Sequence, residues 1–199
     1  MNPDPSSRPY SSAARDAKAA DTRERIVAAT ALLLRTPGGG APSLDAVARA
    51  AGVARLTVYN QFGSRRGLFE ATFDSLAAAG GLTGVAEAMA LGDPRAGLAR
   101  LVGIFCAFWS SHDGIAAIFS AAEQDAELGQ ALAARNERRR ELLSVIVGRH
   151  GTGARADTVD TLFMLTSFAT FKALHIRGRD ADAVRLLLVA LCDRVLAAS

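Results

Sequence analysis

Apolar residues in this chain recur three and four positions apart, the period of a helix with one buried face. Ile26 lines up with Leu33 and Val27 with Leu34, and Asp21 with Glu24 three residues on has the spacing of a capping box. A first helix is therefore expected from about Asp21 or Thr22. Thr36-Pro37-Gly38-Gly39-Gly40 ends it, because neither Pro nor Gly continues a helix cheaply. Ser43 is placed to cap a second helix with Leu44, Val47 and Ala48 inward. A third follows over Ala54–Phe62, and Ser64 opens a fourth bearing Leu68, Phe69, Phe73 and Leu76 along one side.

The same period continues. Gly80-Gly81-Leu82-Thr83-Gly84 reads as a hinge. Asp93-Pro94 announces a fifth helix, with Asp as cap and Pro at the first helical position. Its apolar face is Leu98, Leu101, Val102, Phe105, Phe108 and Trp109. Asp113-Gly114 breaks it, a short sixth helix runs through Ile115, Ile118 and Phe119, and three longer ones are expected near 125–149, 156–177 and 180–198. Period-two runs of β-branched residues are nearly absent. The expected fold is all-α with about nine helices: an N-terminal three-helix head and a C-terminal helical bundle. The expected organisation is a disordered arm over 1–20, a head over 21–79 that includes the fourth helix as linker, and a ligand-binding and dimerisation body over 80–199.

The segment Ser43–Leu68 has the layout of a helix-turn-helix. Its turn needs a residue at positive φ, which only Gly adopts without penalty, and Gly52 stands there. A small residue is needed four positions earlier, where the two helices cross, and Ala48 supplies it. Val47, Ala51, Val53 and Val58 fill the space between. The second helix of such a unit lies in the major groove of DNA. Arg55 suits guanine, Asn60 or Gln61 suits adenine, and Leu56 a thymine methyl. Thr57 and Tyr59 carry hydroxyls for phosphates. Arg65 and Arg66 sit in the first turn of the fourth helix, where cations oppose the helix dipole, which makes sense beside phosphates.

Charge agrees with a DNA-facing head. Residues 1–70 hold ten Lys and Arg against six Asp and Glu, whereas residues 71–199 hold thirteen against fourteen. Cys106 and Cys192 lie inside apolar helical patterns and read as reduced core thiols, which fits a cytoplasmic protein. No signal-peptide pattern, membrane-length apolar run, phosphate loop, nucleophile–base pair or metal-ligand spacing stands out. No enzyme, cofactor, metal or membrane role is expected.

Thr57-Val58-Tyr59-Asn60-Gln61-Phe62-Gly63-Ser64-Arg65 resembles the signature of the tetracycline-repressor (TetR) family. The resemblance is specific over Asp21–Phe73 and only architectural beyond. It implies phosphate contacts from Thr57, Tyr59, Gln61 and Arg65, to which the cap Ser43 is added. It places base reading at Arg55, Leu56 and Asn60, and Phe62 in the core. Ala54 departs from the pattern, since Ser is common there, as do Gln61 for His and Arg65 for Lys.

The resemblance also implies a homodimer on a palindromic operator in double-stranded DNA, joined through the last two helices. Phe168, Phe171, Leu174, Leu187, Leu191 and Val195 are the expected interface. The body would enclose a small apolar effector, with Met89, Phe105, Phe108, Trp109, His112, Phe119 and Phe163 as candidate lining, and effector binding would release a repressor from DNA. Arg135–Arg140 reads as a solvated helix face. Two other readings remain: an all-helical ligand-binding protein or enzyme with a vestigial helix-turn-helix, and a DNA binder without an effector.

Overall fold

The computed structural model describes residues 8–36, 38–111, 115–151, 156–175 and 178–198, with side chains from Ala13 onward. The described residues form eleven α-helices and no strand: α1 (Arg8–Leu34), α2 (Leu44–Ala51), α3 (Arg55–Phe62), α4 (Arg65–Ala79), α5 (Val85–Ala90), α6 (Pro94–Ser110), α7 (Ile115–Gln124), α8 (Ala126–Arg149), α9 (Ala156–Leu165), α10 (Phe168–His175) and α11 (Ala181–Ala197).

Local chemistry explains most boundaries. Ser43, Ser64, Asp93, Asp125 and Asp180 each accept a hydrogen bond from a first-turn N–H of the helix they precede. Gly52, at φ 64°, ends α2: its N–H donates to the Arg49 carbonyl while the Val53 N–H donates to that of Ala48, a Schellman closure.

Three expectations are corrected. Helix α1 starts at Arg8, so residues 8–20 are helical rather than a disordered arm. The stretch is Ala-rich, and its one Pro falls in the first turn, where Pro is tolerated. Asp21 therefore caps nothing; it pairs with Arg25 one turn on, at 3.6 Å. Second, the segment after Gly80 is not all hinge. A 3-10 turn over Leu82–Gly84 leads directly into α5, which the sequence reading missed. Third, the expected helix over 156–177 is broken into α9 and α10. At the break the Thr170 N–H turns to the Ser167 hydroxyl, 3.1 Å away. The Thr166 carbonyl accepts instead from the Trp109 indole, at 3.3 Å.

The core has three parts. Ile26, Val47, Ala48, Val58 and Leu68 join α1 to the helix-turn-helix. Ala31, Leu34, Phe69, Phe73 and Leu76 meet Ile118, Ala121, Leu128 and Ala131, so α1 and α4 also pack on α7 and α8. The largest part fills the C-terminal bundle and includes Leu101, Phe105, Leu143, Leu162, Leu188 and both cysteines. Burial pushes the Cys106 thiol up to about 11 and the Cys192 thiol up to about 12, so both stay protonated at neutral pH. Among the described residues, no single helix is long and apolar enough to cross a membrane.

Candidate functional site

Helix α3 is held by its inner side and presents its outer one. Val58 is fully buried, whereas Arg55, Leu56, Tyr59 and Asn60 are exposed and Thr57 and Gln61 half-buried. Leu56 and Tyr59 are 66% and 54% exposed, an apolar pair on the face that carries Arg55 and Asn60. Arg55 reaches only a loose surface pairing with Asp45, at 3.6 Å, which a nucleic acid could displace at little cost. Ser43 is exposed as well.

Two arginines of α1 fix this unit by capping helix C-termini. Arg25 donates to the Ala51 carbonyl at 3.0 Å, and Arg23 to that of Gln61 at 2.9 Å while lying over the Phe62 ring. Ala54 precedes α3 in extended conformation and offers no side-chain cap.

Arg65 is engaged within the fold. Its Nε donates to the Pro42 carbonyl at 2.9 Å. Its Nη2 reaches the Ala41 carbonyl at 3.0 Å and Asp125 at 2.8 Å, and its Nη1 meets Glu127 at 2.9 Å. All three nitrogens thus have acceptors inside the molecule. Burial opposes its charge, but the hydrogen bonds and attraction from Asp125 and Glu127 prevail and hold its pKa above the ordinary value. Burial likewise disfavours the Asp125 carboxylate, yet its bond to Arg65 leaves it below the usual range. Arg66 is exposed and pairs along the surface, with Glu70 at 2.9 Å and Gln130 at 3.4 Å. The odd cations at the start of α4 tie the head to the first turn of α8.

A cavity of about 320 Å³ lies behind α4, at the small end of the range typical of ligand sites. Phe105, Phe108, Trp109 and Phe119 line it, as expected. Met89 does not; it packs half-buried on the C-terminal core. Phe163 lines a neighbouring cavity of about 440 Å³, and His112 lies outside the described residues. Phe73, Asp74, Leu76 and Ala77 of α4 form one wall, and Phe108 presses on Gly80, where an added Cβ would collide with its ring.

The opposite wall was missed. Arg135, Asn136, Arg138 and Arg139 of α8 line the cavity, and Arg139 is buried, so Arg135–Arg140 is not simply a solvated face. Arg135 and Arg139 fall one turn apart and in helical register with the buried Leu128, Leu143 and Ile146. That register was available in the sequence and was hidden by the charge of the run.

The residues expected at a subunit interface differ in how far their own subunit covers them. Phe171 is only 3% exposed within its own bundle, and Phe168 stacks on Phe119 with ring centres 4.6 Å apart. Leu174, Leu187, Leu191 and Val195 are half-buried. The large exposed apolar side chains on these last helices are Met164 and Leu186.

A helix-turn-helix whose second helix is exposed on its outer face has the geometry of a unit that enters the major groove of DNA. Residues 26–72 match the model of bacterial regulatory proteins of the tetR family. Over 60 residues, or 30% of the chain, it is 47% identical to the HTH-type transcriptional regulator AlkX of Mycobacterium tuberculosis; the match spans 26% of that relative's length. Two solved structures share the fold over nearly the whole chain. A TetR-like transcriptional regulator from Rhodococcus sp. RHA1 has a TM-score of 0.63 at 22% identity, covering 89% of this chain and 97% of the other. A second transcriptional regulator from Rhodococcus sp. Rha1 has a TM-score of 0.65 at 18% identity, covering 88% and 96%.

Proposed function

We propose that this regulator is a repressor that binds a palindromic operator as a homodimer and is released by a small effector held in the cavity behind α4. One observation carries the reading: α4 belongs to both halves. Its N-terminal part packs on the head, and its C-terminal part walls the cavity. An effector that fits only one position of α4 therefore shifts the spacing of the two heads by its difference in affinity for the two states. The unit 21–79 acts as the DNA-binding part and 80–199 as the effector and dimer part.

On DNA, Arg55, Leu56 and Asn60 read bases, and Ser43, Thr57, Tyr59 and Gln61 meet the backbone. The test is operator binding by Arg55→Ala and Tyr59→Ala, measured across salt concentrations. Arg55→Ala should relax sequence preference, with about 1–3 kcal/mol lost on the best site. Tyr59→Ala should weaken binding on every sequence alike. Unchanged affinity in both would remove α3 from the interface.

A further inference from the structure

We infer that the cavity takes an amphipathic anion, a carboxylate on a compact apolar body, and that Arg139 is the residue that receives the carboxylate. The inference rests on the reading of this cavity as the effector site and names the ligand's chemical class.

Arg139 is a buried cation that pairs with no carboxylate among the described residues. It is 7% exposed, and among the described residues no carboxylate lies within 4.0 Å of it. Its neighbours do not make good the loss of water. Nη1 donates to the Thr166 hydroxyl at 3.2 Å and Nη2 to the Asn136 side-chain oxygen at 3.4 Å, while Nε is buried with no partner. The Phe163 ring lies 4.1 Å from the guanidinium carbon, and its quadrupole helps only in part. Burial, and then the nearby Arg140, push its pKa down to about 10, so it is still charged at neutral pH. Two other arginines of α8 are unlike it: Arg135 has Asp74, and Arg140 has Asp160.

The cation faces the right kind of space. Arg139, Asn136 and Phe119 line both the 320 Å³ cavity and the neighbouring one, so Arg139 stands between the two. The rest of the first cavity is mainly aromatic and aliphatic, including Phe105, Phe108 and Trp109. A planar guanidinium matches a carboxylate through two parallel hydrogen bonds, and Nε is one of the donors such a fork uses. An alcohol of the same shape would fill the apolar part and leave the charge uncompensated.

Trp109 is the chain's one tryptophan and lines the cavity, so its emission reports on this site alone. The full chain is titrated with octanoate and 4-propylbenzoate, and with their neutral counterparts 1-octanol and 4-propylbenzyl alcohol. The carboxylates should bind at least about tenfold more tightly than the alcohols. Arg139→Met should abolish that preference while leaving the alcohols within about twofold, and its unliganded form should melt no lower than the parent. Arg139→Lys should keep the preference at reduced affinity. Should Arg139→Met not fold, the parent's preference and the Arg139→Lys result decide. Alcohols binding as tightly as acids, or a preference that survives in Arg139→Met, would overturn the inference and leave the effector cavity standing. If none of the four compounds binds, the effector reading falls with it.

Discussion

At the scale of single residues, Ala54 marks a position where the head is less stable than its neighbours allow. It has the extended backbone of a cap, φ −71° and ψ 147°, close to that of Ser43, whose hydroxyl does cap α2. Ala54→Ser should therefore stabilise the protein by about 0.5–2 kcal/mol with no backbone change, measured by urea denaturation. The roles of individual side chains were partly legible in advance. Gly52, Ala48 and Val58 could be placed because a tight turn and a helix crossing admit few alternatives. Arg65 could not. A cation in a helix's first turn has two explanations, a phosphate outside or carboxylates from elsewhere in the fold, and Asp125 and Glu127 lie some sixty positions away in sequence.

At the scale of elements, the contact between the start of α4 and the start of α8 ties the reading head to the cavity-bearing body. Asp125 does two things there: it caps α8 through the Leu128 N–H and it pairs with Arg65. Asp125→Asn should keep the cap and lose the pairing. Because folding lowers the Asp125 pKa, its contribution is fully present above the unfolded carboxylate range near pH 4 and is lost as pH falls through the folded value. The parent should exceed the variant by up to about 1 kcal/mol at pH 7, with the gap closing below about pH 4, followed by denaturation at each pH. Element boundaries were legible where a cap or breaker stands, as at Asp93, Asp125 and Asp180. The α9–α10 break was not, because Thr166 and Ser167 fit a continuing helix. What diverts the chain is the Trp109 indole waiting for the Thr166 carbonyl.

For the whole molecule, the proposed dimer has a specific requirement. Two recognition helices must reach successive major grooves roughly 34–36 Å apart, so joining the subunits is a condition of tight binding. Met164 and Leu186, exposed on α9 and α11, are the apolar side chains a second copy would cover. The pair of substitutions Met164→Glu and Leu186→Glu should leave each subunit folded, since neither side chain is in the core. Sedimentation should then show a monomer, and operator affinity should fall with it. A dimer that persists would move the interface elsewhere.

By itself, the sequence determined the helical class, the helix-turn-helix, its outward face and most helix ends, because these depend on periodicity and on chemistry within a few residues. Only the tertiary structure decided which cations are used inside the fold. Arg65 and Arg139 look alike in a string of letters, as charged residues on amphipathic helices. One is surrounded by two carboxylates and two carbonyls; the other is buried at an aromatic cavity with no carboxylate beside it among the described residues. The difference comes from elements brought together across the chain. Burial raises the cost of an unpaired charge, and only packing determines where that charge finds a partner.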